Sequence, residues 1–348
     1  MHRLQVIIVG LAFLFCENVN LSSATICYAV KPIYNSEGPL YGSIFSYNPA
    51  SSEFLFFANF SFEIDDNRTS MYYFVPGPVA IVNSSSSLLM YMPVQCGIGP
   101  QRLFLFVFDM DKKMYKQSRW ILHNGDFAYL FYDPQRQRLF GLHDDLTSTL
   151  FIEEYNMTTL DFIRHYTQQN SSQYSVPKAG CAVFDYEENW IVEVRTRVET
   201  PLIKAYFIKM DLNLVGKKED IVTDFHQIPN IDFLLTMTYD IKAKTILGTR
   251  LRGLIANDLV MLYMNPYTSE ITNENLLLKT PNQWVVKDIQ AIYDESTRQI
   301  LFMIHHLHSA TLEDIYWIMF VDFDTMEIKE KKQDRSIQLF ETWELFTL

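Results

Sequence analysis

An all-β fold made of repeated hairpins is predicted by three observations. A hairpin phrase returns at near-constant spacing, a second series of turns falls between its copies, and no stretch sustains a helical period. The clearest copies are AYLFYDPQRQRLFGL, CAVFDYEENWIVEV, TMTYDIKAKTILGT and QAIYDESTRQILFM, pivoting at Asp133, Asp185, Asp240 and Asp294, which lie 52, 55 and 54 residues apart. An aromatic stands before each pivot (Tyr132, Phe184, Tyr239, Tyr293), and an aliphatic follows six residues after it (Leu139, Ile191, Ile246, Ile300). A weaker copy, VAIVNSSSSLLMYM, pivots on Asn83, 50 residues before Asp133.

Each copy reads as two strands around a turn whose Asp or Asn caps it with its own side chain. Between the copies lie outer turns at YNPASS (47–52), FDMDKK (108–113), YNMTT (155–159), KMDLN (209–213), MNPYTS (264–269) and DFDTME (322–327). Each is followed by a more polar strand, such as EIKEKK. Four strands per unit of about 54 residues, the last one most exposed, describe a propeller blade. Residues 25–348 number 324 and hold six such units. The predicted fold is therefore a six-bladed β-propeller of four-stranded blades. Its first blade is split across the chain ends, with SIQLFETW (336–343) innermost and TICYAVKPI (25–33) next. Pairing the ends this way closes the ring and removes open edges.

The first 24 residues differ from the rest. Arg3 precedes the uncharged run LQVIIVGLAFLFC (4–16), and Ser22-Ser23-Ala24 supplies small residues for cleavage, the pattern of a secretory signal peptide. The run is shorter than the roughly 20 residues that span a bilayer. Glu341 and Glu344 spoil the C-terminus as a lipid-anchor signal. The expected organisation is a signal peptide, 1–24, and one secreted, extracellular propeller domain, 25–348, with no membrane span. Five Asn-x-Ser/Thr sequons, at Asn59, Asn67, Asn83, Asn156 and Asn170, predict an N-linked glycoprotein. All precede residue 171, so a protein-docking surface is expected over the glycan-free fifth and sixth blades. A net charge of −12 argues against nucleic acid as a partner. Cys27, Cys96 and Cys181 cannot all pair with one another. Cys181, in the apolar run CAVF, reads as a buried free thiol.

The repeat resembles that of secreted six-bladed β-propellers in general, over the whole mature chain. The YWTD and WD motifs that mark particular families are absent. In the calcium-dependent lactonase-like propellers, Glu, Asp and Asn of the innermost strands converge on a metal in the channel, as a hard cation requires. Here the innermost strands read VAIV, AYLF, CAVF, TMTY and QAIY, with only Thr236, Thr238 and Gln290 as polar side chains. No calcium centre and no cofactor is expected.

Polar groups gather instead where the innermost strands begin, at Asp126, Lys178, Asp232 and Asp288. Propeller geometry should bring His143, Asp144 and Asp145 to the same face, together with His305, His306 and His308. A binding rim at the channel mouth of Asp126, His143, Asp232, Asp288 and His306 is the candidate site, set against the simpler reading of a solvated face. His306 and His308 alternate as zinc ligands would, but need a third ligand from another blade. Arg195 and Arg250 stand ten residues after their pivots and are expected to pair with the acidic rim, while Trp190 and Trp317 read as core. HExxH and GxSxG are absent. The expectation is a monomeric binding protein whose partner is an extracellular protein or a small ligand. The alternative is a metal-assisted hydrolase using Asp126, Asp232, Asp288 and the histidines.

Overall fold

A computed structural model describes residues 27–33, 40–48, 53–62, 74–76, 79–84, 86–96, 102–121, 127–144, 150–167, 181–199, 202–214, 222–229, 234–252, 258–280, 283–334 and 344–347. All regular structure among them is β-strand apart from one 3-10 turn at Leu212–Leu214. The chain begins with β1 (Cys27–Ile33), β2 (Leu40–Asn48) and β3 (Glu53–Phe62). The second group is β4 (Phe74–Pro76), β5 (Ala80–Asn83), β6 (Leu88–Cys96), β7 (Arg102–Asp109) and β8 (Met114–Ile121). Then come β9 (Phe127–Asp133), β10 (Arg138–Asp144), β11 (Leu150–Tyr155) and β12 (Phe162–Thr167), followed by β13 (Ala182–Asp185), β14 (Trp190–Glu199), β15 (Leu202–Asp211) and β16 (Val222–Gln227). The last groups are β17 (Thr236–Asp240), β18 (Thr245–Arg252), β19 (Asp258–Met264) and β20 (Ile271–Leu278), then β21 (Trp284–Asp294), β22 (Gln299–His308), β23 (Asp314–Asp322) and β24 (Ile328–Asp334), with β25 (Glu344–Thr347) closing the chain.

All pairing is antiparallel. Sheet I runs β25-β1-β2-β3, and sheets III, IV, V and VI are the meanders β9 to β12, β13 to β16, β17 to β20 and β21 to β24. Sheet II runs β4-β6-β7-β8, with β5 also paired to β6. The protein is a β-propeller with five four-stranded blades in this form, where six were expected. Sheet II departs because its innermost position is divided: β5 pairs with Leu88–Tyr91 of β6, and β4 with residues 94–96. The sequence between the two short strands is Gly77-Pro78-Val79, following Pro76. Proline donates no ladder hydrogen bond, which breaks a single long strand there.

The two ends of the chain pair, as expected, but through a later segment. Cys27 to Val30 of β1 face Thr347 to Glu344 of β25. Residues 336–343, expected to fill that position, lie outside the described residues. The closing strand is ELFT, four residues long.

Strands inside a sheet packed on both faces must be apolar on both, which is why β7 reads RLFLFVFD rather than alternating. Apolar clusters fill the spaces between successive sheets. Phe60 of sheet I meets Phe106 and Phe108 of sheet II, and Tyr91 and Val107 meet Leu139 and Tyr155 of sheet III. Phe140 and Ile152 meet Ile191 and Met210 of sheet IV, and Trp190 and Val192 meet Met237 and Val260 of sheet V. Leu247 and Met261 meet Ile300 and Phe302 of sheet VI, whose Ile318 and Phe320 reach Tyr47 of sheet I. Burying each such side chain contributes about 1.5–3 kcal/mol. The outermost strand β20 faces solvent over much of its length, with Thr272, Asn273 and Glu274 exposed. Gly42 of β2 lies opposite Phe60, whose ring covers it so closely that a Cβ would sit 2.1 Å from Cζ.

One turn design serves both series of hairpins. The pivot carboxylate accepts from the backbone N–H groups two and three residues on: Gln135 and Arg136 for Asp133, Glu187 and Glu188 for Asp185, Lys242 and Ala243 for Asp240. Four residues after each pivot the chain turns left-handed, at Gln137, Asn189, Lys244 and Arg298, with φ between 49° and 62°. The outer turns copy this with Asp109, Asn156, Asn265 and Asp322 as caps and Lys113, Leu160, Ser269 and Met326 left-handed. A left-handed residue other than glycine costs about 1–2 kcal/mol, offset here by the capped turn.

Candidate functional site

The first strands of the sheets line the centre of the ring, β17 packing against β13 and β21, and β21 against β25. Where these strands meet their pivots, the second carboxylate oxygen joins neighbouring sheets. Asp185 Oδ2 accepts from Tyr239 Oη at 2.7 Å and Lys244 Nζ at 2.8 Å, both of sheet V. One sheet on, Asp240 Oδ2 accepts from Tyr293 Oη at 3.0 Å and Arg298 Nη1 at 2.8 Å, both of sheet VI. The aromatic before the pivot and the left-handed residue after it therefore reach back to the preceding pivot. This explains why a strained position carries Lys or Arg. Between sheets III and IV the aromatic is Phe184, which has no hydroxyl. There Arg136 and Arg138 of sheet III hold Asp133, and Arg138 also bonds Asn189 of sheet IV at 3.2 Å.

Charge and burial act together in these latches. Burial alone would raise the Asp185 carboxyl, but the Lys244 ammonium, the Glu188 N–H and the Tyr239 hydroxyl outweigh it and hold it below its ordinary 3.8. Burial and the Asp185 charge push the Tyr239 phenol up, so it stays a neutral donor. Tyr293 is raised by burial and by Asp240 in the same way.

Beside the latches opens a cavity of about 820 Å³ between sheets II, III, IV and V. Ile81, Leu130, Phe131, Val183, Phe184 and Met237 supply apolar surface, and Asn83, Tyr132, Tyr186, Thr238, Tyr239 and Glu295 supply polar atoms. Burial raises the Tyr132 phenol, with Asp133 adding to it, and burial then Glu295 raise Tyr186. These hydroxyls are neutral at physiological pH. The cavity offers rings, methyl groups and a few hydroxyls, and its single carboxylate, Glu295, is paired with Lys242 at 2.9 Å.

This cavity lies at the pivot end of the inner strands, opposite the rim expected from sequence. Of the rim residues, Asp126 and Asp232, with Lys178 and Asp145, lie outside the described residues. His143 sits inside β10, its backbone opposite Phe151 and Phe127. Asp288 is half-buried in β21 opposite His305, which in turn contacts Asp314 at 2.7 Å and stacks on Tyr316. His306 was expected in a loop and is instead 1% exposed within β22, in register with Val286 and Ile315. The strand continues through FMIHHLH because both its faces are covered by neighbours. His308 does not take a ligand position either. Its Nδ1 accepts from Thr311 N at 3.1 Å and contacts Thr311 Oγ1 at 2.9 Å, capping a turn with Leu312 left-handed, as Asp and Asn do elsewhere.

The two arginines expected to pair with the rim each hold a carboxylate of their own sheet. Arg195 pairs with Glu193 at 3.0 Å on its own strand, both side chains fully buried, and Arg250 pairs with Glu274 of β20 at 2.7 Å. Residues two apart on a strand share a face, which places Glu193 beside Arg195. Among the described residues no three His, Cys, Asp or Glu side chains are grouped closely enough to hold a metal ion. Cys181 is buried, its Sγ 3.5 Å from Leu234 O, while the side chains of Cys27 and Cys96 are outside those described. No helix among the described residues is long and apolar enough to cross a membrane. Sequon residues Asn59, Asn83 and Asn156 are exposed, and Asn67 and Asn170 lie outside the described residues.

The aromatic lining was missed because the inner strands were read as packing. The signal was the aromatic before every pivot, which recurs too regularly to be filler.

No model of a protein family matches the chain, and no curated protein matches its sequence. Solved structures do match in architecture. The hydrazine synthase of Kuenenia stuttgartiensis aligns at 8% identity over 88% of this chain and 95% of that one, with a TM-score of 0.48. The periplasmic gluconolactonase of Pseudomonas aeruginosa aligns at 10% identity over 90% and 83%, with a TM-score of 0.47. The Dos1 propeller aligns at 9% identity over 86% and 68%, with a TM-score of 0.45. The propeller class rests on this chain's own four-stranded sheets and on the packing of each against the next.

Proposed function

We propose that this chain is a secreted, N-glycosylated β-propeller of six blades that acts by binding a small ligand in the aromatic cavity at the pivot end of its channel. The observation that carries the reading is the cavity itself: about 820 Å³, open to solvent, and lined in near-equal parts by apolar and polar surface. Sites for small organic molecules have this size and combine aromatic rings with converging polar groups. Binding is favoured over catalysis because the one lining carboxylate is engaged by a lysine.

Six blades, with sheet II as the sixth, is supported by the apolar clusters that separate each sheet from the next around the whole ring. Secretion is supported by the N-terminal run before Ala24 and by the exposure of Asn59, Asn83 and Asn156, as acceptor sites require. Residues 25–348 then form one extracellular domain, a monomer.

The test expresses the chain with its own N-terminus in a secreting eukaryotic cell. The protein is expected in the medium, starting at Thr25. Native mass spectrometry of that protein is expected to show a small molecule that Thr238→Trp, which narrows the cavity, holds at least about tenfold more weakly, or ~1.4 kcal/mol. Retention in the cell would defeat the secretion reading. Equal occupancy in the Thr238→Trp variant would defeat the cavity.

A further inference from the structure

Asn83 occupies the pivot position of sheet II, yet it is built differently from its counterparts. Asp133, Asp185 and Asp240 are 0% exposed and engaged by basic or phenolic side chains. Asn83 ends β5 with its side chain exposed, and it lines the cavity. The residues after it are four serines, and Ser84 closes on Ser87 through its Oγ at 2.5 Å. The described residues of this turn after the asparagine, Ser84, Ser86 and Ser87, carry only small side chains. An exposed asparagine followed in sequence by a serine two residues on is an acceptor for N-linked glycosylation.

We infer that Asn83 carries an N-linked glycan which stands at the mouth of the aromatic cavity, admitting small molecules and excluding protein segments. The inference rests on the secretion and cavity readings and deepens them, because it selects a small ligand over a macromolecule as the occupant. A branched, hydrated sugar chain fixed at the rim fills the solvent through which a protein loop must approach. A molecule small enough to occupy the cavity passes beside it. Asn59, on the outermost strand β3, and Asn156, on the outer turn of sheet III, are sequons outside the cavity wall and serve as internal references.

The experiment uses the secreted full-length chain with Thr238→Cys, which places a thiol in the cavity. It is compared with the same chain carrying Ser85→Ala, which destroys the sequon and keeps Asn83. Glycopeptide mass spectrometry reads occupancy at each sequon. Labelling rates with N-ethylmaleimide and with a large polyethylene glycol maleimide read access, the parent without Thr238→Cys setting the background. The expected result is a glycan on Asn83, equal rates for the small reagent, and a rate for the large reagent roughly tenfold lower in the glycosylated form. Enzymatic removal of glycans from the folded protein should restore that rate, a control independent of the Ser85 substitution. Glycans on Asn59 or Asn156 with Asn83 bare would overturn the inference and leave secretion standing. Equal access for the large reagent with Asn83 occupied would overturn it as well. A secreted protein with no glycan at any site would overturn it and leave the cavity reading to its own test. A chain retained in the cell without glycans would take the secretion reading down with it.

Discussion

Sheets V and II use the same hairpin phrase in opposite ways. In sheet V the pivot Asp240 is fully buried, caps its turn through Lys242 N and Ala243 N, and ties to sheet VI through Tyr293 and Arg298. In sheet II the pivot Asn83 is exposed and faces a cavity. The difference teaches that a turn residue shared by a repeat becomes a fastener only where the next sheet supplies a phenol and a cation. Where the pivot is left open, the same backbone presents a surface.

Four changes would break or sharpen that contrast. Asp240→Ala should be the most damaging, destabilising by about 3 kcal/mol in urea denaturation, since it strips a buried acceptor from Tyr293 and Arg298. Arg298 keeps Asp324 at 2.6 Å, which places the loss at the lower end for a broken buried pair. A loss under about 0.5 kcal/mol would show the latch to be incidental. Acid comes next. The Asp185 carboxyl is lower in the folded chain than its ordinary 3.8, so the unfolded chain binds protons first. Its stabilisation is complete above 3.8 and is lost as pH falls from there through the folded value. The urea midpoint should drop across that window, and Asp185→Asn should flatten the drop.

Phe184→Tyr should stabilise by about 1 kcal/mol, because its hydroxyl would meet Asp133 as Tyr239 meets Asp185. An unchanged midpoint would show that Arg136 and Arg138 already satisfy that carboxylate. Asn83→Asp should move stability by no more than about 0.5 kcal/mol, as a substitution on exposed surface. A gain comparable to that of Phe184→Tyr would mean that sheet II can be latched after all.

The hairpins were legible because their determinants are local. An Asp or Asn and the two N–H groups it accepts lie within four residues, so Asp133, Asp185 and Asp240 announce their turns from sequence alone. The turn at Leu312 was not legible, since His308 rarely plays the capping part it takes there. Pro76-Gly77-Pro78 was visible, but only the pairing of two short strands with β6 shows that it divides the innermost position. The burial of His306 was not legible because it depends on Val286 and Ile315, which other strands bring.

By itself the sequence determined a chain of antiparallel hairpins at a repeat of about 54 residues, with both ends available to pair, because caps, turns and apolar runs act over short distances. Only the tertiary structure decided that ELFT closes the ring, which pivots are latched, and that the inner strands line an open cavity at their pivot ends. Those outcomes depend on side chains from different sheets meeting across the ring, and a linear pattern holds no distance between them.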